Sequence, residues 1–302
     1  MPKFNQRKTL VTVIAVLSLL AIVLSVSATQ VGVASEICTG GLPLHAQDLS
    51  AVPPSVAEDA NQLATELFGD NHEERDTFAN QLLGTYQGAK DKDFILLFNS
   101  GGWGWNLIES SPGWLSIFTG IEYELHSSGY KSLLVSYQRT TDSLPGRIDE
   151  LAEMLNGYSS KAKDLAYRVE FLTTHLPELK VIIAGESNGT IICDQTMGIL
   201  ADNPRVYSIQ SGPPFWHDSV TLDRTLIMTD NGRTPDSFTE GEILIMVRAS
   251  LRNLLGLPEP PNESGAILHF IKAPGHDYWW QYPEVYRQIT DFLELNFGIE
   301  KW

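Results

Sequence analysis

The sequence predicts an α/β protein built on a doubly wound, mostly parallel sheet of about six strands. Three observations carry this. After Asp93, short apolar runs of β type alternate with stretches of helical periodicity, the order that a parallel sheet with crossover helices requires. Those runs are nearly continuous rather than alternating, as expected of strands covered on both faces. And residues 180–193 read KVIIAGESNGTIIC, a strand, a sharp glycine-bearing turn and a helix in direct succession.

Taken in order, the chain opens with Lys3, Arg7 and Lys8 ahead of an apolar stretch from Leu10 to Val26, and Val26, Ser27 and Ala28 supply small residues suited to signal peptidase. Residues 1–35 are therefore expected to be a signal peptide or a retained transmembrane anchor. The protein would then sit on the membrane facing outside the cytoplasm, or be secreted. Residues 36–55 hold Gly40, Gly41, Pro43, Pro53 and Pro54 and read as a linker. Residues 56–302 form the main domain. It begins with a helical preface over residues 56–92, where Val56, Leu63, Leu67, Phe78, Leu82 and Leu83 recur at helical spacing around a break at Gly69 and Asp70.

Strands are expected at Phe94 to Phe98, Ser132 to Tyr137, Lys180 to Ala184, Val206 to Gln210, Thr225 to Thr229 and Ala266 to Ile271. Helices are expected near Trp114 to Ser127, Ile148 to His175, Gly189 to Leu200, Phe238 to Leu255 and Pro283 to Phe297. The 43% hydrophobic content of the 302 residues suits a sizeable core. A formal net charge of −16 argues against nucleic acid as a partner, because such a surface repels phosphates. The two cysteines, Cys38 and Cys193, are too few for a disulfide framework.

Right-handed crossovers bring every parallel strand's C-terminal end to one edge of the sheet, so chemistry should collect there. The third strand carries Ser187, lifted on its turn between Gly185 and Gly189, and it is the candidate nucleophile. A serine hydroxyl needs a base, and the base needs an acid to orient it. Of seven histidines, His276 alone directly follows an expected strand end, and it is the candidate base. Asp230, at the end of the fifth strand, is the preferred acid. Asp236, deeper in the same loop and able to cap the next helix, is the alternate, with Asp218 third. Asp277 is excluded because the neighbour of a histidine in sequence cannot readily turn to meet its ring.

The first strand runs into Asn99, Ser100, Gly101, Gly102, Trp103, Gly104 and Trp105. Backbone amides in such a loop approach a substrate closely. An oxyanion hole would pair the amide of Asn188 with that of Gly102 or Trp103. No lysine stands at P-loop spacing, so a phosphate cradle is disfavoured. Trp103, Trp105, Trp279 and Trp280 are candidates for an apolar acyl or aryl pocket, and Trp114, on an expected helix, reads as core. No Cys or His pairs have metal-ligand spacing, and no cofactor is expected.

The turn Gly185 to Gly189, the glycine loop Ser100 to Gly104, a late acid and the later His276 occur in the chain order of the α/β-hydrolase superfamily, which residues 94–297 resemble. The resemblance implies a serine hydrolase with Ser187 as nucleophile, His276 as base and Asp230 or Asp236 as acid. Its substrate would be a small-molecule or lipid ester. Two features depart from the family pattern. The acid lacks the usual glycine-then-aspartate spacing after its strand, and Ser211 to Asp223 is too short for the helical lid common in lipases. The same triad would suit an acyltransferase, a peptidase or a thioesterase, and a fold of this kind also occurs in binding modules without turnover.

Overall fold

The computed structural model describes residues 35–40, 42–44, 49–219, 222–260, 264–268 and 270–299. The expected signal or anchor lies, apart from Ser35, outside those residues. Among the described residues no helix is long and apolar enough to cross a membrane.

The sheet has seven strands. In chain order these are β1 (Glu36–Thr39), β2 (Leu42–Pro43), β3 (Phe94–Asn99), β4 (Ser132–Gln138), β5 (Lys180–Glu186), β6 (Val206–Ser211) and β7 (Thr225–Met228). Across the sheet they run β2-β1-β4-β3-β5-β6-β7. The strands β4, β3, β5, β6 and β7 are mutually parallel. Both β1 and β2 are antiparallel additions at one edge.

That edge corrects the expectation of a linker over residues 36–55. Glu36, Ile37 and Cys38 pair with Gln138, Tyr137 and Ser136, and Ile37 and Cys38 are buried. Four residues before a glycine are too few to display a period, so composition alone suggested a loop. A second correction concerns Ala266 to Ile271, which does not join the main sheet. It folds back on itself as a separate antiparallel hairpin of β8 (Ala266–Leu268) and β9 (Ile271–Lys272).

The helices are α1 (Pro54–Phe68), α2 (His72–Ala89), α3 (Pro112–Ser127), α4 (Leu144–Leu155), α5 (Ser159–His175), α6 (Gly189–Ile199), α7 (Ile243–Leu254) and α8 (Pro283–Phe297). The helical preface breaks at Gly69 as expected. The single helix expected from Ile148 to His175 is instead α4 and α5. Between them Gly157 (φ 70°) and Tyr158 (φ 61°) both turn left-handed, which no α-helix accommodates.

Alternation along β3 sets up the two layers, since successive side chains point to opposite faces. Phe94, Leu96 and Phe98 pack with Ile117 and Phe118 of α3 and Ile289 and Leu293 of α8. Ile95 and Leu97 pack on the other face with Leu82 of α2, Val169 of α5 and Ile192 of α6. The chain therefore leaves the neighbouring strands β3 and β5 toward opposite faces of the sheet. The strand order reverses between their C-terminal ends, the usual place for a ligand in such sheets.

Candidate active site

Ser187 stands at that switch point, between the end of β5 and the start of α6. Its φ of 52° lies in the left-handed region that side chains avoid, and backbone bonds hold it there. Its N–H donates to the Ser211 carbonyl at 3.0 Å, while its own carbonyl accepts from the Thr190 N–H at 3.0 Å and from Thr190 Oγ1 at 2.7 Å. The flanking glycines answer to close approach. A Cβ on Gly185 would lie 2.8 Å from Cys193 Sγ and from the Gly189 carbonyl oxygen, and one on Gly189 would collide with the Asn99 carbonyl. Ser187 is buried, and its Oγ makes no hydrogen bond among the described residues.

His276 reaches the same place from the loop after β9. Its Cε1 and Nδ1 rest on Gly212, where a Cβ would come within 2.5 and 2.7 Å of them. Gly212 directly follows Ser211, the residue that holds the Ser187 backbone. Serine and histidine are thus seated on two successive residues at the end of β6.

The carboxylate beside His276 belongs to Asp236, whose Oδ2 lies 2.8 Å from Nδ1. The same oxygen accepts from Tyr278 Oη at 2.9 Å. Oδ1 accepts from the N–H groups of Phe238 at 2.9 Å and Thr239 at 3.2 Å. Asp236 therefore does two things at once, capping the turn that follows it and orienting the imidazole. Asp230, the preferred acid from sequence, is exposed and accepts from the Gly232 N–H at 2.5 Å. The reason is a chain reversal: Asp230 and Pro235 form an antiparallel bridge through Gly232 at φ 75°, which carries Asp236 back to the histidine. Asp218 is likewise exposed.

The electrostatics follow from burial and pairing. Burial alone would push the Asp236 carboxyl up, but the charge of His276 and the bonds from His276, Tyr278 and Thr239 outweigh it and hold the group below the ordinary carboxylate range. For His276, burial works to lower the pKa. The neighbouring Asp236 carboxylate and its hydrogen bond, then Glu186 and Asp277, win and raise it above 6.5.

The loop after β3 forms the other wall. A Cβ on Gly101 would lie 2.8 Å from Ser187 Cβ, so the loop backbone touches the serine directly. Beside it stands the half-buried Glu186, whose pKa is raised by burial against the opposing pull of His276. Gly102, at φ 60°, and Trp103 follow. Asn188 Nδ2 donates to the Gly102 carbonyl at 3.5 Å, bringing Asn188, Gly102 and Trp103 together beside Ser187.

Sequence reasoning missed several residues here. Asn231 ties the acid loop to the histidine loop by donating from Nδ2 to the carbonyls of Gly275 and Asp277 and to Asp277 Oδ1. Tyr278 was legible only as a residue two positions from His276, on the same side of an extended loop. The aromatic ring against His276 is Phe238, with centroids 5.0 Å apart, and Phe215 and Trp216 pack edge-on to Phe238. Of the tryptophans, Trp103 stacks on Trp105 at 6.0 Å beside the loop. Trp114 is core and donates to Ser211 Oγ at 3.2 Å. Trp280 lies against Gly120 of α3 and Tyr286 of α8, and so serves packing between helices.

Cys38 and Cys193 are buried and free. Burial pushes the Cys38 thiol up to about 12 and raises Cys193 as well, which leaves neither as a reactive thiolate. No cluster of His, Cys, Asp and Glu that could hold a metal occurs among the described residues.

No protein-family model and no curated protein matches the chain. Among solved structures, a Trichoderma reesei cutinase in complex with a phosphonate inhibitor matches at 13% identity with a TM-score of 0.31, over 60% of this chain and 78% of that one. A hydrolase from Oleispira antarctica matches at 17% identity with a TM-score of 0.26, over 56% of this chain and 55% of that one. Likenesses this faint carry no weight for function. The strand order, the parallel core and the helices on both faces fit the α/β-hydrolase fold in their own right.

Proposed function

We infer that the protein is a serine hydrolase of carboxylic esters, working through an acyl-enzyme with Ser187 as nucleophile, His276 as base and Asp236 as acid. The observation that carries this reading is a serine held at positive φ and a buried histidine–carboxylate pair, seated on the successive residues Ser211 and Gly212. A non-glycine residue held at positive φ costs about 1–3 kcal/mol and persists where function maintains it. A histidine with one nitrogen on a carboxylate keeps its other nitrogen in the tautomer that accepts a proton.

Ser187 Oγ adds to the ester carbonyl carbon and its proton passes to His276 Nε2. The imidazolium so formed is stabilised by the Asp236 carboxylate. Negative charge on the former carbonyl oxygen is met by the amides of Asn188 and of Gly102 or Trp103. The alcohol leaves with the proton from Nε2, water repeats the sequence in reverse, and the acid departs. Phe238, Phe215 and Trp216 offer an apolar wall next to the histidine, which suits an ester with an apolar acyl or aryl group. The basic and then apolar N-terminal sequence suits work outside the cytoplasm, in a tethered or secreted form.

The test is labelling with a fluorophosphonate. The intact protein is expected to react in proportion to time, and Ser187→Ala not at all. A folded wild type that stays unlabelled would favour a binding module on the same fold.

A further inference from the structure

Arg139 lies just beyond β4, and its side chain is fully buried, paired with the nearly buried Glu150 of α4. Nε donates to Glu150 Oε1 at 2.9 Å and Nη2 lies 2.8 Å from the same oxygen. Tyr158 Oη donates to Glu150 Oε1 at 2.9 Å, and the Tyr158 ring faces the guanidinium at 5.5 Å. The left-handed break between α4 and α5 is what delivers Tyr158 there.

The rest of the arginine's donors go to the loop after β3. Nη1 donates to the Ser100 carbonyl at 2.6 Å and Nη2 to that of Gly102 at 3.5 Å. The Arg139 N–H donates to the Gly104 carbonyl at 3.1 Å, and Thr140 Oγ1 to that of Trp103 at 2.6 Å. Four carbonyls of one five-residue loop therefore end on a single dipeptide. Because a trans peptide points its C=O and N–H to opposite sides, holding the Ser100 and Gly102 carbonyls at the end of β4 turns the amides of Gly101 and Trp103 away from Arg139, while the Gly104 N–H closes the turn onto the Gly101 carbonyl at 3.4 Å.

Stability alone does not account for a buried pair at this point. An ion pair taken out of water is commonly no better than packed apolar residues of the same volume, whereas it does fix geometry through its hydrogen bonds. We propose that Arg139, neutralised by Glu150, is a positioning residue that holds the loop Ser100 to Gly104 in its donor geometry without touching substrate. This rests on the serine-hydrolase reading for its kinetic consequence, though not for its structural one.

The experiment compares wild type with Arg139→Lys, Thr140→Val and the apolar double variant Arg139→Met/Glu150→Met. It measures kcat and KM on a soluble ester, scaled to fluorophosphonate-titrated sites, and amide hydrogen exchange across residues 99–105. Loss of aligned oxyanion donors is expected to lower kcat about 10–100-fold in Arg139→Lys, a fraction of what removing a donor outright does, with KM nearly unchanged. Exchange in the loop is expected to accelerate in all three variants. Should the arginine variants fail to fold, Thr140→Val decides, because it cuts one tether and leaves no buried charge. Folded variants with wild-type kcat and undisturbed loop exchange would overturn the proposal, as would a loss confined to KM. If wild type itself proves unlabelled, the hydrolase reading falls and the exchange data alone judge the clamp.

Discussion

Replacing Asp236 by Asn separates geometry from charge at the heart of the site. An amide in that place keeps an oxygen for the Phe238 and Thr239 N–H groups that now bond Oδ1, so the turn survives. What changes is Oδ2, which now holds both the 2.8 Å contact with His276 Nδ1 and the 2.9 Å bond from Tyr278 Oη. The amide NH₂ presents a donor there, which forces Nδ1 to accept and places the ring proton on Nε2, the nitrogen that must take the serine proton. The wrong tautomer and the lost stabilisation of the imidazolium together lower kcat by about 10⁴-fold in sites of this type, or about 5 kcal/mol of barrier. The assay is steady-state hydrolysis of a short-chain ester at neutral pH, run beside Asp230→Asn. Because Asp230 is exposed, with its carboxylate accepting from the Gly232 N–H and not from the imidazole that Asp236 holds, its replacement is expected to leave kcat within about twofold, in keeping with the small free-energy effect of surface substitutions. A folded Asp236→Asn protein that keeps more than about a tenth of its kcat would refute the reasoning, since no loss of that size follows from a misplaced ring proton.

Other consequences follow from the same geometry. The base must be neutral to accept a proton, and its pKa is raised above 6.5. The ascending limb of kcat/KM against pH is therefore expected to have its midpoint above 6.5, and a midpoint at or below that value contradicts the assigned surroundings of His276. Ser187→Gly relieves the positive φ while Ser187→Ala keeps it. Thermal melts should find the glycine variant more stable than the alanine variant by about 1 kcal/mol, with both inactive. Gly189→Ala drives a methyl group into the Asn99 carbonyl and is expected to cost about 1–3 kcal/mol of stability, read as a lowered denaturant midpoint. Tyr278→Phe removes one of two bonds to Asp236 Oδ2; kcat should fall by less than about tenfold, in keeping with a single lost hydrogen bond, and KM should hold.

The central parallel strands were legible because β3 and β5 are short apolar runs buried on both faces through their centres, whereas β4 and β7 are only partly buried. The turn at Ser187 was legible because its glycines stand two residues on either side of the serine, between an apolar strand and an apolar helix; Gly185 is demanded by Cys193 and Gly189 within that unit and Gly189 by the Asn99 carbonyl of β3. What escaped depends on contacts between distant segments. Asp236 meets His276 only because the chain doubles back at Gly232, and Asn231 reaches forty-odd residues ahead to fasten that loop. No periodicity records such a reversal. Likewise β1 exists because the open edge of β4 supplies its hydrogen bonds, which four residues beside a glycine do not announce. The split of β8 from β9 escaped because a short, largely apolar run reads alike whether straight or folded. Arg139 looked like an ordinary polar residue at a strand end. Its partner Glu150 and the ring of Tyr158 lie on the next helix and the turn after it, in a stretch that reads as one continuous helix.

Ser187 is expected to carry the acyl group between two half-reactions. Rapid mixing with an activated aryl ester, followed by acid quench and mass analysis of the digested protein, tests it directly. We expect a burst of phenol equal to the titrated sites, together with an acyl mass on the peptide containing Ser187. Turnover with no acylated peptide, or with the acyl group on any other residue, would contradict it.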